Sequence, residues 1–244
     1  MHPRPNRGTG LAPRDAISVV GDWAEDRFFD LSRREEHRRS VRAQFGVSDD
    51  EFVVLNTGML REDKGQQHLI ATAARLRDAG VKARYLLVGA AVRKPESREY
   101  ERKLRNMTRS LGLEHLVIFA GYRSDDVRLT QGADVQVISS VAVEAQSRTV
   151  PQAFASMTQI VASRVGGVPE LVTHAETGWL VPIGDSERYA AALTEAFAGG
   201  DALEAIRRRA RALAERSLTL ESKMAVTLDV YRRAIARPGR RTPS

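Results

Sequence analysis

The chain has no cysteine, so it can form neither a disulfide framework nor a thiolate metal site. It has no apolar run near the ~20 residues of a membrane span. Its opening residues, MHPRPNRGTGLAPRD, lack the apolar centre of a secretory signal. These absences together fit a cytoplasmic protein. There is no Walker A sequence and no GxGxxG after the first strand-like run, which removes support for a P-loop or nicotinamide-binding protein. No Asp-x-Asp occurs, and no set of carboxylates and histidines has metal-ligand spacing. Metal-independent chemistry is therefore expected. His68, His115 and His174 fall in no recognisable motif, and lone histidines are more often structural than catalytic. Aromatic residues make up only 6% of the chain, and they do not alternate with basic ones as in a single-strand nucleic-acid binder. No nucleic-acid partner is expected.

What remains is an ordinary soluble composition. The 244 residues are 42% apolar and 28% charged, enough for one large domain or two small ones. The net charge of +7 is concentrated at the end, where RRAIARPGRRTPS carries five arginines and no acid. Such a tail can touch anionic lipid and make the protein membrane-peripheral, although a solvated, frayed end accounts for it as well. Arg207, Arg208, Arg209 and Arg211 form a second cluster, partly offset by Glu204 and Glu215, and read as a solvated helix face.

Hydrophobic periodicity organises the chain. Residues 1–16 and 237–244 read as disordered basic ends, leaving 17–236 as one domain. ISVVGDW (17–23) reads as a short strand and turn. A charged helix is predicted from about Ser32, its candidate N-cap, to Phe45. Strands are predicted at 52–58, 84–89, 115–121, 134–139 and 159–163. Helices are predicted at 64–80, 96–112, 124–132, 151–157, 186–198, 201–216 and 220–236. Strands that are apolar throughout are buried on both faces. Alternating with helices, they predict an α/β fold with a doubly wound, parallel, Rossmann-like sheet. Right-handed crossovers place the loops after the strands along one edge, where such sheets bind ligands.

Three stretches carry candidate chemistry. TGMLREDKG (57–65) sets Arg61 and Lys64 beside a helix start. A planar fork and a point charge there can clamp a diphosphate; an exposed loop with two routine charges fits the same residues. EAQSRTVPQAF (144–154) sets Glu144 eight residues before Gln152, with Pro151 suited to a first helical position and Val150 biased away from helix before it. The free N–H groups of that helix start would face an anion. Alternatively Glu144 caps a helix and Gln152 is simply exposed. VASRVGGVPELV and ETGWLVPIGD follow, with Gly166 and Gly167 letting the backbone approach a ligand without a Cβ in the way. Glu170 reads as an organiser of local structure.

These motifs resemble the donor-binding core of family 4 of the retaining glycosyltransferases, which have the two-domain GT-B fold. The resemblance runs over about residues 17–236. It implies one half of a GT-B enzyme, binding a UDP-, GDP- or ADP-linked sugar with no cofactor and transferring that sugar with retention. Lys64-Gly65 matches the end of the family's Gly-Arg-Leu-x-x-x-Lys-Gly loop, and Arg61 would substitute for the arginine that Met59 replaces. Glu144 would hold the sugar. Gln152 stands where the family's Glu-x7-Glu has its second acid and would meet the ribose, without charge assistance. The donor contacts would include Gly58 after the first strand and the Gly121, Tyr122 and Arg123 turn near the base. Gln146, Ser147, Arg148, Thr149 and Val150 would complete them, with Arg61, Lys64 and Glu144 as the catalytic set. Ala145 and Met157 depart from family glycines, at positions where approach to the sugar and the helix end would be affected.

ISVVGDWAEDRFF is similar to the segment leaving the family's first domain. The N-terminal acceptor domain is therefore expected outside this chain, or on a partner chain, with the acceptor unidentified. Two other readings stay open at this point: a non-catalytic remnant or partner-binding subunit, and another GT-B-like enzyme such as a nucleotide-sugar epimerase.

Overall fold

A computed structural model describes residues 17–236 except Arg93 and Val143; the basic ends read above as disordered lie outside the described residues. Six parallel strands form one sheet in the order β3-β2-β1-β4-β5-β6. They are β1 (Phe52–Thr57), β2 (Ala83–Val88), β3 (Val117–Gly121), β4 (Val135–Ile138), β5 (Gln159–Ser163) and β6 (Trp179–Val181). The order reverses between β1 and β4, the switch point at which doubly wound sheets bind ligands. The expected fold class, an α/β fold with a doubly wound, Rossmann-like parallel sheet, is the one observed.

Alternate side chains point to opposite sides, so the inner strands bury both faces, while edge strand β3 is only partly buried. Val54, Tyr85, Leu87, Val137, Val161 and Trp179 enter one core. Helices α3 (Gln66–Asp78), α4 (Pro95–Ser110) and α8 (Ser186–Phe197) cover it. On the opposite face, Val53, Leu55, Leu86 and Val88 meet Val41 and Leu129 from α2 (Arg34–Phe45) and α5 (Asp126–Gly132). Ile138, Ile160, Ala162 and Leu180 meet Phe154 and Ala210 from α6 (Thr149–Ala155) and α9 (Asp201–Ser217). Two single-turn helices, α1 (Asp26–Phe29) and α7 (Val168–Leu171), and the terminal α10 (Leu220–Ala236) complete the chain. None of the described helices is long and apolar enough to cross a membrane.

The differences from expectation have local causes. Residues 17–23 form no strand; the only ladder contact there is a single bridge from Ala24 to Thr219, with Ile17 and Val19 exposed. Ser32 is not the cap of α2: the helix opens from Arg33, one residue later, and the Ser32 N–H donates to the Asp30 carboxylate (2.9 Å). α3 begins at Gln66, after one 3-10 turn (Glu62–Lys64) closed by Gly65. α6 begins at Thr149, so Val150 is helical and Pro151 is the third residue, not the first. That is the last position at which a missing N–H costs no helix bond, and Gln152 makes the first bond back, to the Arg148 carbonyl (3.2 Å). Met157 ends this helix with φ +55, the left-handed state usually left to glycine. The sixth strand was missed because its three residues lie inside a turn-rich segment. Arg211 is not a solvated charge: it bonds the Ala155 and Phe29 carbonyls and stacks over Phe29.

Candidate functional site

A cavity of about 640 Å³ opens at the switch point, above the carboxyl ends of β1 and β4. Its floor is set by Asn56, whose amide donates to the Val137 carbonyl (3.0 Å) and so ties the last turns of β1 and β4 together. The loops leaving these strands are also joined. The Val141 N–H donates to the Asp63 carbonyl (2.9 Å), and the Ser139 hydroxyl donates to the Lys64 carbonyl (2.8 Å). Gly65, at φ +66, makes this approach feasible: a Cβ there would stand 2.1 Å from the Ser139 carbonyl oxygen.

This joining brings Lys64 to Glu144. Lys64 Nζ donates to Glu144 Oε2 at 2.7 Å, and Ser140 Oγ donates to the same oxygen at 2.8 Å. Glu144 therefore caps no helix. Its own backbone is held from below by the next loop. The Gly167 N–H donates to the Glu144 carbonyl (3.0 Å), and a Cβ on Gly166 would meet that oxygen at 1.7 Å. The two glycines thus position the acid loop by close approach to the Glu144 and Ala145 carbonyls, where the sequence alone predicts approach to a ligand.

Gly58, Lys64, Tyr122, Arg123 and Glu144 share this cavity with Ser147, Arg148, Thr149 and Gln152. Gln152 is half-buried rather than exposed. Four other expected residues do not line it. Val150 is wholly buried in the core. Gln146 turns away, accepting from the Asp22 N–H (3.0 Å) and donating to Glu170 (3.3 Å), so Glu170 does organise local structure. Gly121 accepts from the Gly89 N–H (2.8 Å) below the turn. Arg61 borders a neighbouring polar hollow with Lys94, Tyr100 and Lys103. Its guanidinium forks onto Asp63 (Nε–Oδ1 2.8 Å), and this pair raises the arginine's pKa and lowers that of the acid.

Arg123 is held in the same manner by Asp125 (2.9 and 2.8 Å). That hydrogen bonding, with a second from Arg128, keeps the Asp125 carboxyl far below the usual carboxylate range. Glu25 was not anticipated. Gln152 Nε2 donates to it at 3.3 Å, and Arg148 stands 3.7 Å from it. A separation of 127 residues from Gln152 leaves no signal in the sequence for this contact. Asn56 and Ser140 were also missed; each reads locally as one polar residue at a strand end. A second hollow of about 740 Å³ continues from the cavity past Gly58 and Met59 to Gly89, Ala90, Ala91, Val92 and Tyr122, and its walls are mainly apolar.

Among the histidines, His174 accepts from the Leu180 N–H (3.2 Å) and has a structural use. His68 is half-buried against Gly184, and burial lowers its pKa. Among the described residues no group of three or more His, Asp or Glu is placed to hold a metal ion.

The comparisons with known proteins decide the family. Residues 37–213 match the family described as Glycosyl transferases group 1. The chain belongs to that family. A D-inositol 3-phosphate glycosyltransferase of Saccharomonospora viridis is 32% identical over 237 residues, covering 92% of this chain and 52% of the relative. An uncharacterised glycosyltransferase of Methanocaldococcus jannaschii is 31% identical over 173 residues, covering 70% of this chain and 42% of the relative. The group 1 chain described here thus spans about half the length of the curated relatives it matches. Among solved structures, the Anabaena HepE protein in complex with UDP and glucose superposes with a TM-score of 0.74 at 26% identity, over 83% of this chain and 52% of that one.

Proposed function

We propose that this chain is the donor-binding half of a retaining, metal-independent glycosyltransferase of the family 4 type. The carrying observation is that Lys64 and Glu144 meet in one cavity at the switch point, beside Tyr122, Arg123, Thr149 and Gln152. In this reading a nucleoside diphosphate sugar lies across the strand ends. Its base extends over Tyr122 toward the apolar hollow, its ribose meets Gln152, its diphosphate meets Lys64, and its sugar hydroxyls donate to Glu144. When the bond from the anomeric carbon to the phosphate oxygen breaks, negative charge collects on the diphosphate. A fixed ammonium at that point stabilises it more in the transition state than in the ground state. Arg61 would add to this only after leaving Asp63. UDP as the nucleotide is supported by the Anabaena complex, with GDP and ADP as the other bases to test. The acceptor would be held by a second body of similar size, because this chain is about half as long as its relatives. A cytoplasmic place, with membrane contact through the basic tail, accords with the composition.

Isothermal titration with UDP, GDP and ADP tests the reading. At least one should bind at millimolar affinity or better, and Lys64→Ala should weaken it by roughly 10- to 100-fold, the worth of a charge-assisted hydrogen bond. No binding by any of the three refutes the proposal. The purified chain alone should transfer little or no sugar; robust turnover refutes the assignment of the acceptor site to another body.

A further inference from the structure

Lys64 and Glu144 satisfy one another in this structure, and both are largely withdrawn from solvent, at 22% and 11% side-chain exposure. The loops that carry them are pinned through the Asp63, Lys64 and Glu144 carbonyls, so any change of partner must occur at the side chains. A phosphate that engages Lys64 must draw it from Glu144. The carboxylate left behind is itself mostly withdrawn from solvent and then faces phosphate charge, an unfavourable arrangement unless new donors reach it. Neighbouring arginines hydrogen-bond or pair elsewhere: Arg61 is forked onto Asp63 and reaches Glu144 only as a longer-range charge, Arg123 is forked onto Asp125, and Arg148 stands beside Glu25. Among the described residues Ser140 is the hydrogen-bond donor that remains on Glu144. Sugar hydroxyls are the donors that could complete it.

We propose that the Lys64–Glu144 pair is an exchange latch by which this site distinguishes a sugar-bearing nucleoside diphosphate from the bare one. The inference rests on the donor-site reading above and adds a selectivity to it. A bare diphosphate takes Lys64 and strands Glu144. A sugar diphosphate takes Lys64 and supplies hydroxyls to Glu144 in the same event. Once the sugar has gone, the pair re-forms and favours release of the spent diphosphate.

Calorimetry on the full chain tests this with UDP, GDP and ADP and with UDP-glucose, GDP-glucose and ADP-glucose. For the base that binds, the wild type should hold the glucose ester more tightly than the bare diphosphate. Glu144→Gln keeps the shape and removes the charge. It should tighten the bare diphosphate about tenfold, the usual scale of one charge-assisted contact, and weaken the glucose ester. Ser140→Ala should act in the opposite direction on the bare diphosphate, weakening it several-fold, because the stranded carboxylate loses the Ser140 donor. General damage to the site would weaken binding in both variants. If the wild type binds but Glu144→Gln leaves the bare diphosphate unchanged or weaker, the latch is overturned and the donor-site reading stands. If none of the six ligands binds wild type or variant, both fall. Should Glu144→Gln fail to fold, Ser140→Ala decides alone: unchanged or tighter binding of the bare diphosphate overturns the latch.

Discussion

The two neighbouring hollows along the carboxyl edge of the sheet are built on different principles. The cavity around Lys64 and Glu144 is polar, and its shape depends on loops from three strand ends locked together by short contacts: Gly65 on Ser139, Gly166 on Glu144 and Gly167 on Ala145. The hollow past Tyr122 is walled by Gly89, Ala90, Ala91 and Val92, and its volume comes from small side chains after β2. In the first, position is enforced and charge is already paired. In the second, space is simply left open. A substitution should therefore act through geometry in the polar cavity and through volume in the apolar one.

The largest effect should come from Gly166→Ala. Its φ of +53 disfavours any side chain, and the new Cβ would stand 1.7 Å from the Glu144 carbonyl. A loss of ~3 kcal/mol is expected from strain together with overlap, which at ~2–4 °C per kcal/mol for a domain this size lowers Tm by ~6–12 °C. Gly121→Ala is the contrast. Its φ is +67, but its Cβ would meet nothing within 4 Å, so only the left-handed strain of ~1–2 kcal/mol remains. Equal drops in thermal melts would break the claim that the acid loop rests on Gly166.

Ala91→Leu probes the other hollow. It should weaken the binding nucleoside diphosphate about tenfold by filling space, the scale at which ~1.4 kcal/mol acts, and leave inorganic pyrophosphate unaffected. Competition calorimetry with both ligands reads this directly. Equal weakening would show that the hollow is not a separate compartment.

The smallest effect concerns the rim shared by the two. The folded pKa of Asp125 is depressed from 3.8 by Arg123 and Arg128, so the unfolded state binds more protons as pH falls. The stability this carboxylate contributes is full above about pH 4 and is lost as pH drops toward its lower folded value. Asp125→Asn should cost about 1 kcal/mol near neutrality, at the upper end for a partly exposed pair. Urea titrations should show the gap between wild type and variant narrowing below pH 4. A gap that widens there would contradict the assignment.

The particular residues show which parts were legible in advance. Five strands could be read because FVVLNT, RYLLV and their counterparts are short, largely apolar runs that alternate with helical patterns, as strands of a parallel sheet buried on both faces do. Lys64 and Glu144 could be placed at one sheet edge because a motif keeps their spacing, whereas Gly166 and Gly167, read as admitting a ligand, instead approach the Glu144 and Ala145 backbone. β6 was hidden by its length, and the start of α6 was misplaced because proline was given the first position when the third serves equally. Glu25 and Ser140 were illegible because a lone polar residue carries no periodic signal.

The order of residues alone determined the layered fold, the side of the sheet on which chemistry could gather and the chemical types available there. Local pattern suffices for this, since strand and helix periods are set by each segment's own alternation of apolar and polar groups. The tertiary structure alone decided that Lys64 faces Glu144 and that Glu25 reaches Gln152. Charges select partners by distance, and distance between loops from different strands exists only after the sheet has formed.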